Sequence, residues 1–371
     1  MPDTGVAVIG AGAVGLAVAA RLAIRDPNVI VLERNPRHGM ETSSRNSQVV
    51  HAGIYYPPGS WKARLCREGN ERLWALCAAH DIPHRRIGKI VTATVPEELP
   101  ALDRILENAR SNGVLLERLS AAEARAKEPR VRSVGALWAE SSGIIDAHAL
   151  MDHYLQAMLA SGAIFYAGAE LAGIEPAPGG YRLTLRRGGA LESFTAERVV
   201  NSAGLEADTV AGLAGIDVDE AGYRLHYCKG SYFSAAPRRA RSVSHLVYPV
   251  PGKESLGIHV VLDTGGRVRF GPDAEYLPGR ALDYRVDPGK RGRFAEAARR
   301  LLPEIEDEDL EPDIAGIRPK LQAQGEALRD FVIQEERERG LPGFTNLIGI
   351  ESPGLTAAPA IAERVAELLG A

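Results

Sequence analysis

Val6-Ala7-Val8-Ile9-Gly10-Ala11-Gly12-Ala13-Val14-Gly15 decides the fold. The apolar residues up to Ile9 read as a buried parallel strand, and the strand stops at Gly10. Residues 13–24 then read as a helix and 29–32 as a second strand ending at Glu33. This is a complete βαβ unit with G-x-G-x-x-G at its first turn. Gly10 permits the tight turn, Gly12 lets backbone approach a pyrophosphate, and Gly15 lets helix and strand pack closely. The helix N-terminus attracts the anion. Glu33 lies 18 residues after Gly15 and can accept hydrogen bonds from ribose hydroxyls. An acid at 33 argues against the 2′-phosphate of NADP, although Arg34 follows it. The fingerprint alone does not separate FAD from NAD. The bland reading is a glycine-rich turn with no ligand.

Around this unit the chain is ordinary in composition. Its 371 residues suffice for two or three domains of about 150 residues each. Apolar residues at 45% and charged residues at 25% exclude a disordered or collagen-like chain. A net charge of −4 gives no basic excess for sequence-independent nucleic-acid binding. Cys66, Cys77 and Cys228 are too few and too scattered for a disulfide framework or a zinc site, so no metal is expected. A reducing, cytoplasmic setting is expected. The apolar run over 5–20 follows Asp3 with no preceding Lys or Arg, unlike a signal peptide. It is also shorter and richer in glycine than a membrane span.

Helices are expected over 65–79, 96–112, 121–127, 147–161 (with Asp146 as N-cap), 294–302 and 357–369. Pro359 falls in the first turn of the last one. Strands are expected over 89–94, 163–165 and 169–174, in a hairpin at Gly179-Gly180, and over 198–201. Residues 223–233, 246–250, 257–261 and 267–270 look like antiparallel strands, and 346–350 is a last short strand. The order is βαβ, then antiparallel strands, then strand and helix again. It implies one domain in discontinuous pieces with a second domain inserted.

After Glu33 comes Thr42-Ser43-Ser44-Arg45-Asn46-Ser47-Gln48-Val49-Val50-His51-Ala52-Gly53-Ile54-Tyr55-Tyr56. This segment resembles the second flavin-contacting segment of the D-amino-acid-oxidase-like FAD enzymes. Its local form, with Lys62-Ala63-Arg64-Leu65-Cys66, most resembles the L-2-hydroxyglutarate dehydrogenase/oxidase branch. Four further blocks are similar: Tyr248-Pro249-Val250-Pro251 with Gly257-Ile258-His259, Phe270-Gly271-Pro272, Gly316-Ile317-Arg318-Pro319-Lys320-Leu321, and Gly349-Ile350-Glu351-Ser352-Pro353-Gly354-Leu355-Thr356. The resemblance spans nearly the whole chain. The sequence departs from the usual glycine at Gln48, and from an Arg-Gly in the segment Tyr227-Cys228-Lys229-Gly230.

The resemblance implies a two-domain α/β flavoprotein. A Rossmann-type FAD domain would comprise 1–85, 143–215 and 338–371. An inserted antiparallel-sheet substrate domain would comprise 86–142 and 216–337. FAD is expected to bind non-covalently through Gly10 to Gly15, Glu33, Arg34, Thr42, Ser43, Ser44, Asn46 and Ser47. Leu171, Ala203, Gly204, Gly349 and Ser352 to Thr356 complete that set. Backbone N–H groups where the last helix starts would stabilise negative charge on the flavin.

The implied reaction moves hydride from C2 of an L-2-hydroxy acid, favouring L-2-hydroxyglutarate, to flavin N5. A base takes the hydroxyl proton. His51 is the candidate base, since histidine titrates near working pH. The alternative is a histidine that only holds its loop or the flavin. Arg318 can grip a carboxylate in a bidentate fork, or form a surface ion pair. Lys320 is a second candidate. Lys229 would hold a second carboxylate or stand solvated. Tyr248 and His259 would contact substrate or simply pack. His80 and His84 have metal-ligand spacing, but Pro83 breaks the helix between them. The electron acceptor stays open among oxygen, a quinone and an electron-transfer protein, and with it peripheral membrane contact. The rivals are an amino-acid or secondary-amine oxidase, a flavin-binding module without turnover, and an NAD-dependent dehydrogenase. The last leaves the Ser352–Thr356 block unexplained.

Overall fold

The computed structural model describes residues 1–239, 241–252 and 257–370. Among them, the strands form sheets of eight, nine and three.

The first sheet grows from the glycine fingerprint. Thr4–Ile9 is buried along its whole length, as a strand covered on both faces must be. It pairs in parallel with Val29–Glu33 on one side and with Ala190–Asn201 on the other. Ile164–Ala167 continues the sheet beyond Val29–Glu33. Ala190–Asn201 is longer than its apolar end at 198–201 suggests. Its first half is exposed and pairs in a hairpin with Gly180–Arg187, so no apolar run marks it. The helix Ala13–Ala23 carries small residues and packs against Ala147–Ala160 and Gly354–Leu369. Asp146 caps Ala147–Ala160, its Oδ1 accepting from His148 and Ala149 N–H. Val332–Glu335 pairs with Phe344–Ile348 and so belongs to this sheet. The expected boundary at 338 cuts the chain after that strand. Pro359 stands inside the last helix, which starts at Gly354, ahead of the expected 357.

The second sheet runs Glu275–Tyr276, His226–Ala235, Val268–Gly271, His259–Leu262, Leu246–Pro249, Lys89–Ala93, Gly135–Ala139, Glu117–Ser120. It is mostly antiparallel. Leu246–Pro249 pairs antiparallel with His259–Leu262, as expected, and in parallel with Lys89–Ala93 on its other side. Among the described residues Leu310–Lys320 pairs only with His226–Ala235, at the edge. Its Pro312 and Pro319 hide it from a strand reading, yet an edge strand tolerates missing N–H donors.

The third sheet is small and sets the site. Val49–Val50 pairs with Gly143–Ile145, which also pairs with His84–Arg85. His51 follows directly. Just before the strand, Gln48 holds φ +58, a conformation in which a side chain crowds the following carbonyl. That is the physical reason a glycine suits this position.

The helix Trp61–Ala79 crosses the start of Gly354–Leu369 at Gly69. A Cβ there would lie 2.1 Å from the Thr356 carbonyl oxygen. Helix propensity alone favours Gly→Ala by about 1 kcal/mol. Backbone cannot yield as a side-chain tip can, so overpacking wins, at about 1–3 kcal/mol. Gly69→Ala is therefore expected to lower stability. Thermal unfolding followed by circular dichroism checks it, and an unchanged or raised Tm would show that the helices separate freely.

Candidate active site

A cavity of about 960 Å³ lies between the two large sheets, and a smaller one of about 160 Å³ lies over the glycine turn. Gly12, Thr42, Ser43, Ser202 and Gly204 line both, so the two form one channel. Glu33, Arg34, Leu171 and Ala203 line the smaller part. Gly12 to Gly15, Thr42, Ser43, Asn46, Ser47 and Ser352 to Thr356 line the larger. Gly10 lines the smaller part as well. Ala11, Ser44 and Gly349 line neither. Ala11 N donates to Glu33 Oε2 at 2.9 Å, Ser44 Oγ to the Glu41 carbonyl, and Gly349 turns the chain at φ +70.

The channel is shaped for close approach of a dinucleotide. A Cβ on Gly15 would sit 2.0 Å from the Gly10 carbonyl oxygen, and one on Gly10 would sit 2.7 Å from that of Ser202. Ala13 N donates to Ser43 Oγ at 3.0 Å, tying the helix start to the Thr42–Ser44 turn. Glu33 Oε1 accepts from both the backbone N–H and Nδ2 of Asn35, while Oε2, with Ala11 N–H as its one donor among the described residues, keeps a lone pair for a hydroxyl. Arg34 is held by Glu41 at 2.6 Å. Gly354–Leu369 begins at the wall of the larger cavity with no side-chain cap. Its positive end therefore faces the lining.

His51 lines the cavity beside Ser352, with Nε2 3.4 Å from Ser352 Oγ. Its backbone N–H donates to Thr356 Oγ1 at 3.0 Å, and Asn70 Nδ2 donates to its carbonyl at 3.0 Å. Burial, then the charge of Lys89 and the neighbouring His259, hold its imidazole well below the usual histidine range. At neutral pH the ring is therefore uncharged. His259 also lines the cavity, and burial pushes it down to about 3.

Arg318 lies on the edge strand and lines the cavity. Thr42 Oγ1 donates to the Ile317 carbonyl at 2.9 Å, and a Cβ on Gly316 would meet Arg45 O at 2.0 Å. The glycine-turn domain and this strand are thus locked together. Arg318 Nε and Nη2 donate to the carbonyls of Cys228, Lys229 and Asp273, the last at 2.7 Å. Nη2 also lies 3.4 Å from Cys228 Sγ. Gly230 makes room for it, since a Cβ there would stand 3.1 Å from Nη2. Among the described residues Arg318 has no carboxylate in ion-pair contact, and Nη1 has no partner. The expected two-pronged fork is altered: carbonyls occupy one edge of the guanidinium, and Nη1 is what remains for a ligand.

Lys320, two residues on, lines the same wall and pairs with Glu351 at 2.8 Å. Lys62 pairs with the same carboxylate at 3.1 Å. Against its burial, the two lysines hold Glu351 below the usual carboxylate range. Lys229 and Tyr248 are placed elsewhere. Lys229 Nζ is 3.7 Å from Asp283 and off the cavity lining, because alternate residues of a strand face opposite sides. Tyr248 lies behind the lining, stacked on His259 at 3.8 Å between ring centres. His80 packs tilted against His153, and no metal-holding cluster occurs among the described residues.

Sequence reading missed Lys62, Glu351 and Lys89. The signal for Lys89 was present: it is a lysine opening a strand that is buried throughout. The Lys62–Glu351 contact spans 289 residues and left no local mark.

A channel that cradles a dinucleotide, with a neutral histidine and a carbonyl-anchored arginine at its far end, defines a dinucleotide-dependent oxidoreductase. The chain belongs to the FAD dependent oxidoreductase family, whose model matches residues 5–368. It is 39% identical to the mitochondrial L-2-hydroxyglutarate dehydrogenase of Arabidopsis thaliana, over 97% of this chain and 82% of that one. It is 27% identical to that of Caenorhabditis elegans, over 98% and 93%. The solved structure of L-alpha-glycerophosphate oxidase from Mycoplasma pneumoniae, with FAD bound, shares the fold. Its TM-score is 0.87 at 24% identity, covering 99% of this chain and 94% of that one. FAD is the cofactor, and the glycine cradle fits it. No helix among the described residues is long and apolar enough to cross a membrane.

Proposed function

We propose that the enzyme oxidises L-2-hydroxyglutarate to 2-oxoglutarate. Bound FAD supplies the two-electron acceptor, so the C2 hydrogen leaves as hydride. Arg318 Nη1 holds the C1 carboxylate. Its side chain needs no reorganisation to do so, because three carbonyls already fix it. His51 Nε2 takes the hydroxyl proton. The larger cavity carries five cationic side chains, Arg45, Lys62, Arg104, Arg318 and Lys320, against Glu326 and Glu351. That excess suits a doubly negative substrate alongside a pyrophosphate. Arg104 stands exposed at the mouth without an ion pair among the described residues, within reach of a distal carboxylate.

The observation that carries the reading is the half-buried Arg318, which has carbonyl partners and, among the described residues, no partner on Nη1. A cation so placed, with no carboxylate in ion-pair contact among the described residues, suits an anion. The names of the relatives support the choice of substrate. An electron acceptor must then reoxidise the enzyme.

The test mixes purified enzyme anaerobically with L-2-hydroxyglutarate, D-2-hydroxyglutarate, glycerol 3-phosphate, glycine, sarcosine and proline, watching the flavin absorbance. The L-isomer is expected to bleach it fastest. Bleaching by an amine instead would overturn the reading. Acid or heat denaturation is expected to release about one FAD per chain, free of the polypeptide. Flavin that stays with precipitated protein would show a covalent link.

A further inference from the structure

Lys89 is 1% exposed and lies off the cavity lining. Its Nζ is 3.5 Å from His51 Nδ1, on the side of the imidazole away from Ser352. It sits over the Tyr248 ring at 4.2 Å and is 5.9 Å from the centre of Tyr55. Lys62 and Lys320 share Glu351, but Lys89 has no carboxylate partner among the described residues. A buried ammonium without a counter-ion is costly. Among the described residues, its one polar side-chain neighbour within hydrogen-bonding distance is the candidate base.

An imidazole ring nitrogen either donates or accepts, and the partner of one nitrogen fixes the state of the other. An ammonium at Lys89 donates to Nδ1, which forces the proton of neutral His51 onto Nε2. That tautomer cannot accept a proton from a substrate. An amine at Lys89 accepts the Nδ1–H and leaves a lone pair on Nε2. We propose that Lys89 is a positioning residue that selects the His51 tautomer, activating Nε2 as a base only when Lys89 itself is a free amine. This rests on His51 being the base of the proposed reaction. The substrate O–H bond breaks as Nε2–H forms, and the Nδ1 proton passes to Lys89 Nζ. The charge thus ends on the lysine, and an imidazolium never persists beside an ammonium. The electron pair of the C2–H bond leaves with hydride, as in the reaction above.

The titratable groups around Lys89 come from several elements. They are His51 and Tyr55 from the segment after Val49–Val50, Cys66 from Trp61–Ala79, Tyr248 from Leu246–Pro249, and His259. Burial raises both tyrosines, lifts Cys66 to about 12 and pushes His259 to about 3. All stay neutral through the working range. Burial lowers Lys89 to about 8. Within this cluster, Lys89 is the group whose charge changes between pH 7 and 9. The active form therefore accumulates as pH rises.

The test uses FAD-loaded enzyme with ¹⁵N-histidine, whose His51 signals are identified by their loss in His51→Asn. NMR from pH 6.5 to 9.5 is expected to show Nδ1 changing from unprotonated to protonated near pH 8. Lys89→Met is expected to abolish that change. Lys89→Arg, a permanent donor, is expected to hold Nδ1 unprotonated at every pH. Anaerobic reduction by L-2-hydroxyglutarate is expected to rise with pH through the same midpoint in the wild type. In Lys89→Met it should be pH-independent over that range and at least about tenfold slower at pH 9. A wild-type His51 that keeps one tautomer throughout would overturn the proposal, as would a switch that survives in either variant. The NMR readout needs no substrate, so it fails or stands apart from the substrate assignment.

Discussion

His51→Ala is expected to lower kcat by about 10²–10⁴-fold with FAD still bound. The loss should fall on kcat and not on the fold, because the residue is held by its backbone. Thr356 Oγ1 accepts its N–H, while Asn70 and Cys66 donate to its carbonyl. Alanine keeps all three contacts. The imidazole contributes no charge at rest, since burial and Lys89 keep it neutral. Removing it therefore leaves the binding of an anionic substrate little changed. Turnover, KM and the flavin spectrum of the variant check this together. Near-normal turnover with intact flavin would return His51 to a purely structural role.

Arg318→Lys is expected to lower kcat/KM by at least about tenfold. The charge is kept, yet three carbonyls lose their donor geometry: those of Cys228, Lys229 and Asp273. One ammonium cannot satisfy three carbonyls and also present a group to a ligand, whereas a planar guanidinium can. Each lost hydrogen bond to a charged partner costs roughly 1.5–3 kcal/mol. One such loss in the transition state already gives the tenfold fall. Competitive inhibition by 2-oxoglutarate should weaken in parallel, since on the proposed reading the same Nη1 holds the product carboxylate. If both quantities are unchanged, the carboxylate is held elsewhere in the cavity, with Arg104 and Lys320 the next cations to replace.

The difference between what was legible and what was not follows the range of the interactions. The strand Thr4–Ile9, its glycine turn and the helix after it are coded locally: β-branched residues, then glycines, then small helix formers. Ala121–Lys127 falls where its Ser120 and Glu123 put it, because a capping box is a contact over three residues. The edge strand Leu310–Lys320 was not legible, although it carries Arg318 and Lys320. Its prolines read as breakers, and only its position at the edge of a sheet makes them harmless. Lys229 was legible as a cation but not as one facing away from the cavity, since strand phase is set by pairing with Leu310–Lys320.

The sequence by itself therefore determined the class of fold and a dinucleotide cofactor. These rest on short motifs whose geometry closes within one turn or one βαβ unit. The tertiary structure alone decided which charges act. Lys62 meets Glu351 across 289 residues, Lys89 meets His51 across 38, and Arg318 is turned by carbonyls of two other segments. The physical reason is desolvation. A lysine, a histidine or an arginine in water is interchangeable with any other of its kind. Taken out of water, each is defined by the few groups left to touch it, and packing between distant segments chooses those groups.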